Sequence, residues 1–355
     1  MSLRNIVACL AAALAVAADS SHPMHYKKVD AETAKSVAAV RNHASGRDGA
    51  LVNEQGFWFS HFTVGASENL ELLIDTGSSD AMLNPGVYKP SSTSEDLKRR
   101  FSISYATTNP DGTGTLSAFG QVYRDVITQL GANLVVPQQA IGAIDDPKTP
   151  ATFPRDGLIG YAGKGGAALR ESSFFFSLCA SNALTECRFG LALRTDGTGQ
   201  LHYGTVVKEE FDGELTTVDL TGYWSINGGV TVNGKVIADN LNLATDSGTT
   251  VIFGPTSVVR EVYKSAGITE VSTANGIEGH YSCSNSPTIG FNLGGKNFNI
   301  DPKALAFKKE GDNCTASLMG TQDFGSMWLV GQAFFQGRYI DHNGSGKTMG
   351  FANLK

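Results

Sequence analysis

The sequence predicts a mainly β protein (all-β class) built from two related lobes. Its 355 residues are more than a single hydrophobic core usually serves. Its apolar runs are short and are interrupted by the 41 glycines and by Ser, Thr and Asn, which favours many strands over long helices. A motif in the first half of the chain recurs in the second half, so we expect one folding unit to be present twice.

Residues 1–17 predict a signal peptide for export. Arg4 precedes an apolar stretch from Ile6 to Val16, and small residues at positions 15–17 form a cleavage-site pattern. The stretch is shorter than the roughly 20 apolar residues of a transmembrane helix, and the chain ends at Lys355 without the apolar tail of a lipid-anchor signal. We therefore expect the signal to be removed and the protein to be secreted and extracellular.

The charge of the chain limits its partners. The formal net charge is −6, charged residues make up 17% of the chain, and no block of basic residues stands out. This composition argues against nucleic acid and against anionic membranes as partners.

Residues 18–50 differ in composition from the rest of the chain. They are polar, lack the alternation of a strand, and contain one short helical stretch near Ala31–Val40, whereas strand-like sequence begins at Phe57. We interpret residues 18–50 as a removable pro-segment; the alternative is a disordered linker that stays attached. No dibasic pair marks the end of this segment. The two lobes are then expected over residues 51–207 and 208–355.

The internal repeat has two matched parts. An apolar run leads to Asp75 in "LLIDTGSS" and to Asp246 in "LATDSGTT". Each copy is followed by an apolar segment that ends in glycine, at Gly160 in "DGLIG" and at Gly331 in "WLVG". Both Asp-to-Gly separations are 85 positions, and the copies lie 171 positions apart. A lone Asp-Thr-Gly is a weak signal because Asp and Gly are common in turns, but two matched parts at equal spacing indicate a duplication.

The repeat predicts a partner for each motif aspartate. An unpaired carboxylate at the end of a buried strand is costly. Two units related by a pseudo-two-fold axis bring equivalent residues together, so Asp75 is predicted to meet Asp246. Adjacent carboxyls share a proton and titrate as a pair, which suits general acid and base catalysis. Because one chain carries both copies, we expect a monomer. The residues predicted to support the pair through tight turns or hydroxyl donors are Thr76, Gly77, Ser78, Ser247, Gly248 and Thr249.

Cysteine use and glycosylation triplets fit a secreted protein. Cys9 leaves with the signal, and of the three ways to pair the remaining four cysteines, pairing of neighbours is favoured over the alternatives, which include free buried thiols. Asn313 and Asn343 head acceptor triplets for N-linked glycans. No Cys and His spacing suggests a metal site, and the seven His form no zinc-binding cluster, so we expect neither metal nor cofactor. The remaining cysteines are Cys179, Cys187, Cys283 and Cys314.

At these motifs the chain resembles the pepsin family of aspartic peptidases, in particular its secreted fungal members. The two aspartate motifs, "DGLIG" and the closing "WLVGQAFFQGRYIDHNGSGKTMGFA" match in order over roughly residues 55–355. The resemblance implies a bilobal fold of two pseudo-two-fold-related β lobes with a central cleft, floored by a sheet to which both lobes contribute. It also implies that an extended protein or peptide substrate binds in the cleft under a hairpin flap from the first lobe.

The resemblance assigns roles to individual residues. It implies that Asp75 and Asp246 are catalytic and that the supporting hydroxyls either interlock beneath the carboxyls or donate to them from outside. Residues 101–120 match the flap, and Cys283–Cys314 matches the disulfide of the second lobe. The flap and substrate-binding residues implied in this way are Tyr105, Ala106, Thr107 and Leu158.

Three departures from the family pattern affect these expectations. Met82 stands where the family usually has a Trp whose indole N–H meets the flap tyrosine, and Met cannot donate a hydrogen bond. We therefore expect the flap to be held differently or more loosely. The segment after Tyr105 is longer than usual, with a turn of its own at 109–112. Arg155 stands where an aromatic pocket residue is common, and it either favours acidic substrate side chains or is a solvated surface residue.

The implied function is hydrolysis of peptide bonds at acidic pH by a water activated between the two aspartates. Some fungal relatives carry an Asp at the position of Thr107, and that Asp binds a substrate Lys at the cleavage position. Thr107 has no charge, so we expect a preference for bulky apolar residues. A charge supplied by Asp111 instead is the main risk to this prediction. The resemblance further implies inhibition by pepstatin-like compounds and synthesis as a zymogen, in which Lys27 or Lys28 neutralises the carboxylates.

Two other classes of function remain open from the sequence. One is a catalytically inactive pepsin-like binding or inhibitor protein, against which both intact aspartate motifs argue. The other is a secreted glycosidase, since two carboxylates also hydrolyse glycosides, although glycosidase carboxylates need not lie in duplicated Asp-hydroxyl-Gly loops. Digestion of a denatured protein at acidic pH separates the first class from an active peptidase, and a reducing-sugar assay separates the second.

Overall fold

The computed structural model describes residues 20–26, 57–106, 115–130, 132, 134–145, 153 and 155–355. The features predicted outside these residues are the signal peptide (1–17), the helical stretch near Ala31–Val40, the turn at 109–112, Lys27, Lys28, Thr107 and Asp111. Within the described part of the chain, no helix is long and apolar enough to cross a membrane.

Strands dominate the described residues, as the short apolar runs predict. They are β1 (Ser20–Tyr26), β2 (Trp58–Val64), β3 (Ser67–Asp75), β4 (Ala81–Leu83), β5 (Glu95–Ala106), β6 (Thr115–Gln129), β7 (Leu134–Ile144), β8 (Gly157–Gly160), β9 (Arg188–Leu193), β10 (Thr198–Tyr203), β11 (Thr216–Gly222), β12 (Ser225–Val232), β13 (Lys235–Thr245), β14 (Ile252–Pro255), β15 (Thr269–Thr273), β16 (Gly276–Ser282), β17 (Ile289–Leu293), β18 (Lys296–Asn299), β19 (Ala306–Glu310), β20 (Asn313–Ala316), β21 (Leu318–Thr321), β22 (Trp328–Val330), β23 (Arg338–Asn343) and β24 (Thr348–Asn353). The helices are short: Phe174–Ala180, Thr256–Ala266, Pro302–Leu305 and Gln332–Phe335, with 3₁₀ turns at Lys164–Gly166, Lys208–Glu210 and Cys283–Asn285.

A sheet of six antiparallel strands joins the two halves of the chain, in the order β1–β10–β9–β23–β24–β11. The first three strands come from residues before position 208 and the last three from residues after it. The halves meet where β9 pairs with β23, with Leu191 opposite Ile340, and both side chains are fully buried. This interlobe sheet is the shared floor that the resemblance implies, and the mainly β, bilobal fold is confirmed.

Strand β1 lies in a segment whose sequence lacks the alternation of a strand. Ser20–Tyr26 pairs with β10 along six residues and with the start of β2 along two. Along most of its length β1 has a partner on one side only among the described residues, so it is an edge strand. Backbone hydrogen bonds suffice to hold an edge strand, and the edge tolerates Pro23, so the polar sequence gave no strand signal.

Each lobe contains the same arrangement of strands around its aspartate motif. In the first lobe β8 lies between β3, to which it is parallel, and β4, to which it is antiparallel, and β4 continues parallel to β7. In the second lobe β22 lies in the same way between β13 and β14, and β14 continues parallel to β21. The order β3–β8–β4–β7 is therefore repeated as β13–β22–β14–β21, which is the duplication that the equal spacing predicts.

Two disulfides secure surface segments of the lobes. Cys179, in the helix Phe174–Ala180, is bonded to Cys187, which follows that helix. Cys283 is bonded to Cys314 of β20. The structure thus has the neighbour pairing that the cysteine spacing favours.

Candidate active site

Two loops of the same construction meet between the lobes. β3 ends at Asp75, and β13 ends one residue before Asp246. The carbonyl of Asp75 accepts a hydrogen bond from the N–H of Tyr161 at 2.8 Å, and the N–H of Asp246 donates to the carbonyl of Val330 at 2.9 Å. Each aspartate is thus fixed against the strand that carries the motif glycine. Asp75 pairs with Gly160 and Thr245 with Val330, so the separation of 85 positions is the register of the same parallel pairing in both copies.

The carboxyl groups of Asp75 and Asp246 lie next to each other and are nearly buried. Their residues are 5% and 8% exposed, and the two side chains are within hydrogen-bonding reach. Burial raises the pKa of the Asp75 carboxyl well above its usual value, and the charge of Asp246 adds to the rise, while hydrogen bonds from Ser78 and Gly77 oppose it. Two such carboxyls do not both ionise readily, so the pair retains a proton into the acidic pH range.

Each carboxyl receives the same two kinds of donor from its own loop. The N–H two residues after the aspartate donates to one carboxyl oxygen, and the hydroxyl three residues after it donates to the other. The donors are Gly77 (2.9 Å) and Ser78 for Asp75, and Gly248 (2.7 Å) and Thr249 (2.6 Å) for Asp246. All the supporting residues predicted from the sequence therefore lie at the carboxyl pair or, as described next, directly beneath it.

Thr76 and Ser247 interlock the two loops beneath the carboxyls. The N–H of Thr76 donates to the hydroxyl of Ser247 at 3.1 Å, and the N–H of Ser247 donates to the hydroxyl of Thr76 at 2.9 Å. The Thr76 hydroxyl donates onward to the carbonyl of Thr245 at 3.3 Å, and the Ser247 hydroxyl to the carbonyl of Ile74 at 2.6 Å. Since each hydroxyl reaches the strand of the opposite lobe, this exchange fixes the lobes relative to each other.

The motif glycines are required by the close approach of the opposite carboxyl. A Cβ atom on Gly77 would lie 2.5 Å from the carboxyl carbon of Asp246, and one on Gly248 would lie 2.5 Å from Oδ1 of Asp75. Neither distance is compatible with a side chain. Each loop therefore presents its bare backbone to the carboxyl of the other lobe.

Gln332 is a site residue that the sequence reasoning missed. It is fully buried, its side-chain amide donates to the carbonyl of Ser247 at 2.6 Å, and its N–H donates to the carbonyl of Thr249 at 2.8 Å. It therefore holds the second aspartate loop from below. The available signal was its position directly after the motif glycine Gly331.

Asp80 is a third buried carboxyl close to the pair. It accepts hydrogen bonds from the N–H groups of Ala168 at 2.7 Å and Leu169 at 3.1 Å, and burial raises its pKa. The Asp80 carboxyl therefore fixes the loop that contains Ala168 and Leu169. Among the described residues, no group of three His, Cys, Asp or Glu side chains is arranged to hold a metal ion.

Tyr105 lies near the end of β5, one arm of the β5–β6 hairpin, and Ala106 is the last residue of that strand. The Tyr105 hydroxyl is buried and makes no hydrogen bond of good geometry to a described residue. Burial raises the pKa of the Tyr105 phenol well above its usual value, and the charges of Asp80 and Asp75 add to the rise. The predicted flap tyrosine therefore lies beside the carboxyl pair, whereas Thr107 is outside the described residues.

An apolar cluster lies beneath Tyr105. Leu158 in β8 and Met82 in β4 belong to it and are buried, and Phe153 contacts the tyrosine ring. Leu158 thus lies in the apolar core on which Tyr105 packs, and its role in substrate binding stays a prediction. Met82 packs where a side chain on Gly142 would otherwise lie, since a Cβ atom there would be 2.3 Å from the Met82 sulfur.

Arg155 is ion-paired within the first lobe. Its guanidinium forms an ion pair with Glu71, with an N–O distance of 3.0 Å, and its side chain is 23% exposed. Its charge is therefore engaged by Glu71, and the choice between a surface role and a substrate-binding role stays a prediction. The aromatic residue of this segment is Phe153.

Comparison with known proteins gives consistent matches. The model of the eukaryotic aspartyl protease family matches residues 57–354. An aspartic protease of Phaffia rhodozyma is 31% identical over 353 residues, covering 92% of this chain and 84% of the relative. Secreted aspartyl protease 1 of Malassezia globosa is 29% identical over 314 residues, covering 85% of this chain and 74% of the relative. The crystal structure of an aspartic proteinase from Irpex lacteus has the same fold, with a TM-score of 0.74 at 18% identity over 95% of this chain and 98% of that chain.

Proposed function

The chain belongs to the eukaryotic aspartyl protease family and is an aspartic-type endopeptidase, and on that premise we propose that it is a secreted enzyme that acts at acidic pH through Asp75 and Asp246. The observation that carries the proposal is the matched set of hydrogen bonds around two adjoining carboxyls. The family acts on peptide bonds, so the substrate is a protein or peptide, and pepstatin-like compounds are the expected inhibitors.

The proposed reaction is direct hydrolysis. A water held between Asp75 and Asp246 gives a proton to the ionised member of the pair and attacks the peptide carbonyl, while the protonated member donates to the carbonyl oxygen. The tetrahedral intermediate then collapses as the leaving nitrogen takes up a proton. The N–H and hydroxyl donors of each loop keep both carboxyls oriented through these transfers.

Acidic operation follows from the proton that the pair must share. Activity requires one proton between the two carboxyls, and it falls when the pH is high enough to ionise both. The raised pKa of Asp75 supports retention of that proton in mildly acidic solution.

We propose that residues 18–50 form a pro-segment and that 51–207 and 208–355 are the two lobes of the mature enzyme. The position of β1 at the edge of the interlobe sheet supports this division. An edge strand is hydrogen-bonded mainly on one side, so another strand can take its place when the pro-segment is removed. Lys27 and Lys28 follow β1 directly, and either would neutralise the carboxyl pair until acid weakens the attraction.

The proposed specificity is for bulky apolar side chains. The buried apolar cluster beneath Tyr105, with Leu158 among its members, supports this preference. Thr107 carries no charge to attract Lys, so cleavage after Lys should be poor. A peptide library measures this directly, and efficient cleavage after Lys that is lost in Asp111→Ala would show that the longer turn supplies the charge instead.

Extracellular location is proposed from the predicted signal peptide at residues 1–17, and a relative from Malassezia globosa is named as secreted. We propose a monomer, because both halves of the carboxyl pair come from one chain. We propose no nucleic acid or membrane partner, in view of the acidic composition.

The decisive experiment is digestion of a denatured protein by the parent, Asp75→Asn, Asp246→Asn and the double variant, from about pH 2 to about pH 8. Each single variant should abolish hydrolysis, and the double variant should be no worse, because residues that act as a unit are not additive. Asp239→Asn, at an exposed position of β13, is the matched control and should keep full activity. Substantial activity in Asp246→Asn would refute the paired mechanism, and an inactive but folded parent would indicate a binding or inhibitor protein.

A further inference from the structure

The ring of Tyr105 packs edge-on against Phe153. Their centroids are 5.0 Å apart and the ring planes are at 89°, which is the T-shaped arrangement that aromatic pairs favour. Phe153 is 3% exposed and belongs to the same apolar cluster as Met82 and Leu158. The contact therefore joins the flap arm to the core of the first lobe.

Asn84 holds Phe153 through both backbone polar groups of that residue. The side-chain amide of Asn84 donates to the carbonyl of Phe153 at 2.7 Å, and the N–H of Phe153 donates to the side-chain oxygen of Asn84 at 3.0 Å. The same amide nitrogen also donates to the carbonyl of Arg155 at 2.8 Å. Asn84 is 7% exposed, so water competes little for these bonds. The clamp fixes the backbone from which the Phe153 ring projects.

A second set of contacts fixes the residues that follow. The Asp156 carboxylate accepts the N–H of Glu71 at 2.9 Å, and the carbonyl of Asp156 accepts the N–H of Asn84 at 3.0 Å. The Arg155 guanidinium pairs with the Glu71 carboxylate. Phe153, Arg155 and Asp156 are thus tied to β3 on one side and to the residue after β4 on the other.

The ring of Tyr105 receives little orientation from the side chain of Met82. Met82 is fully buried, packs against Gly142 and has no hydrogen to donate. The Tyr105 hydroxyl itself makes no hydrogen bond of good geometry to a described residue. The Ser78 side chain lies within reach of the Tyr105 hydroxyl and acts on that end of the side chain. The packing against Phe153 is the contact that orients the ring itself.

We propose that Phe153, clamped by Asn84, is a positioning residue that orients Tyr105 for catalysis. This rests on the proposed function, in which Tyr105 belongs to the flap that covers the substrate. Without the edge-on ring, Tyr105 samples other orientations, and fewer encounters place the substrate correctly over the carboxyl pair. Such a loss acts on turnover more than on folding, because the buried Asn84 bonds and the rest of the cluster stay in place.

The test is a double-mutant cycle measured as kcat/KM on a chromogenic peptide. Phe153→Leu should lower kcat/KM about two- to tenfold, the range expected from loss of one T-shaped aromatic contact, with most of the effect in kcat. In a Tyr105→Ala background, Phe153→Leu should have almost no further effect, because the residue acts through the tyrosine. Phe59→Leu removes a ring from the same cluster that pairs with Phe57, and it should change kcat/KM less than twofold.

Asn84→Asp provides a second variant if Phe153→Leu folds poorly. It keeps the acceptor for the Phe153 N–H but loses the donor to two carbonyls, so it should lower kcat/KM and again show little effect in the Tyr105→Ala background. Equal losses in both backgrounds, or a Phe153→Leu effect no larger than that of Phe59→Leu, would overturn the inference. A parent that neither cleaves peptides nor binds pepstatin would instead overturn the proposed function.

Discussion

His342 is buried in the interlobe sheet, and its replacement by phenylalanine tests how burial controls stability in acid. The residue lies in β23 and is 0% exposed. Its ring stacks on Phe189, with centroids 4.3 Å apart and planes at 6°, and Trp224 contacts it edge-on at 5.0 Å. Neither ring nitrogen has a hydrogen bond of good geometry to a described residue. Phenylalanine fits the same stack and has no proton to gain.

The size of the effect follows from the pKa of the buried ring. Burial lowers the pKa of His342 from 6.5 to about 3. Because the pKa of His342 is lower in the folded protein than in the unfolded chain, acid favours unfolding. The contribution of this residue to stability is present above pH 6.5 and is lost as the pH falls toward the pKa of the folded state. At pH 4 the unfolded ring is protonated and the folded ring is neutral. At about 1.4 kcal/mol per pH unit, folding is then about 3 kcal/mol less favourable at pH 4 than at pH 7 on account of this residue.

Urea unfolding at pH 4 and pH 7 measures this contribution. All variants should carry Asp75→Asn, so that self-digestion does not distort the curves. His342→Phe should raise the free energy of unfolding by about 3 kcal/mol more at pH 4 than at pH 7. The control Phe291→Leu removes a buried ring that packs on Trp328 and Phe334 rather than on His342, and it should lower stability by the same amount at both pH values, since no proton is involved. A His342→Phe effect that is equal at the two pH values would refute the reasoning.

Further predictions concern the aspartate loops, the interlobe sheet and the pro-segment. Gly248→Ala should lower kcat/KM by at least ~100-fold, because its Cβ atom would lie 2.5 Å from Asp75, whereas Gly166→Ala, with no atom within 4 Å, should be neutral. Burial raises the pKa of Asp341 to about 6, so the contribution of this residue to stability is lost as the pH rises through that value. Asp341→Asn should therefore raise the free energy of unfolding, measured in urea, by up to ~3 kcal/mol at pH 7 and by little at pH 4. N-terminal sequencing of secreted active enzyme should find a start near residue 51; a start near Asp19 would contradict the pro-segment.

The aspartate loops were predictable from the sequence because their chemistry is local and occurs twice. The donors to Asp75 lie two and three residues after it, and those to Asp246 have the same offsets. A contiguous motif therefore contains each half of the site. Only the contact between the two halves of the site is non-local. The equal 85-position spacing predicts this contact, because it indicates two duplicated units whose equivalent residues meet near a pseudo-two-fold axis.

The contacts that the sequence did not reveal are those between residues that are distant along the chain and occur once. Asn84 and Phe153 are 69 positions apart, and neither residue type marks a hydrogen-bonded clamp. Strand β1 was missed because a polar edge strand is held by its backbone, which leaves no pattern of apolar side chains. The ion pair of Arg155 could not be read from the sequence because its partner Glu71 lies 84 positions earlier.

Asp341 and His342 are neighbours in β23, and their contributions to stability have opposite signs. Successive residues of a strand point to opposite faces, and the two side chains have different partners: Arg188 for Asp341 and the aromatic stack for His342. As the pH falls from 7 to 4, the sheet regains up to ~3 kcal/mol from Asp341 and loses about 3 kcal/mol through His342. The two changes have opposite signs, so the contributions of these two neighbours largely offset each other between neutral and acidic solution. Either replacement alone should tilt the pH dependence, in opposite directions, whereas both together should leave it close to that of the parent.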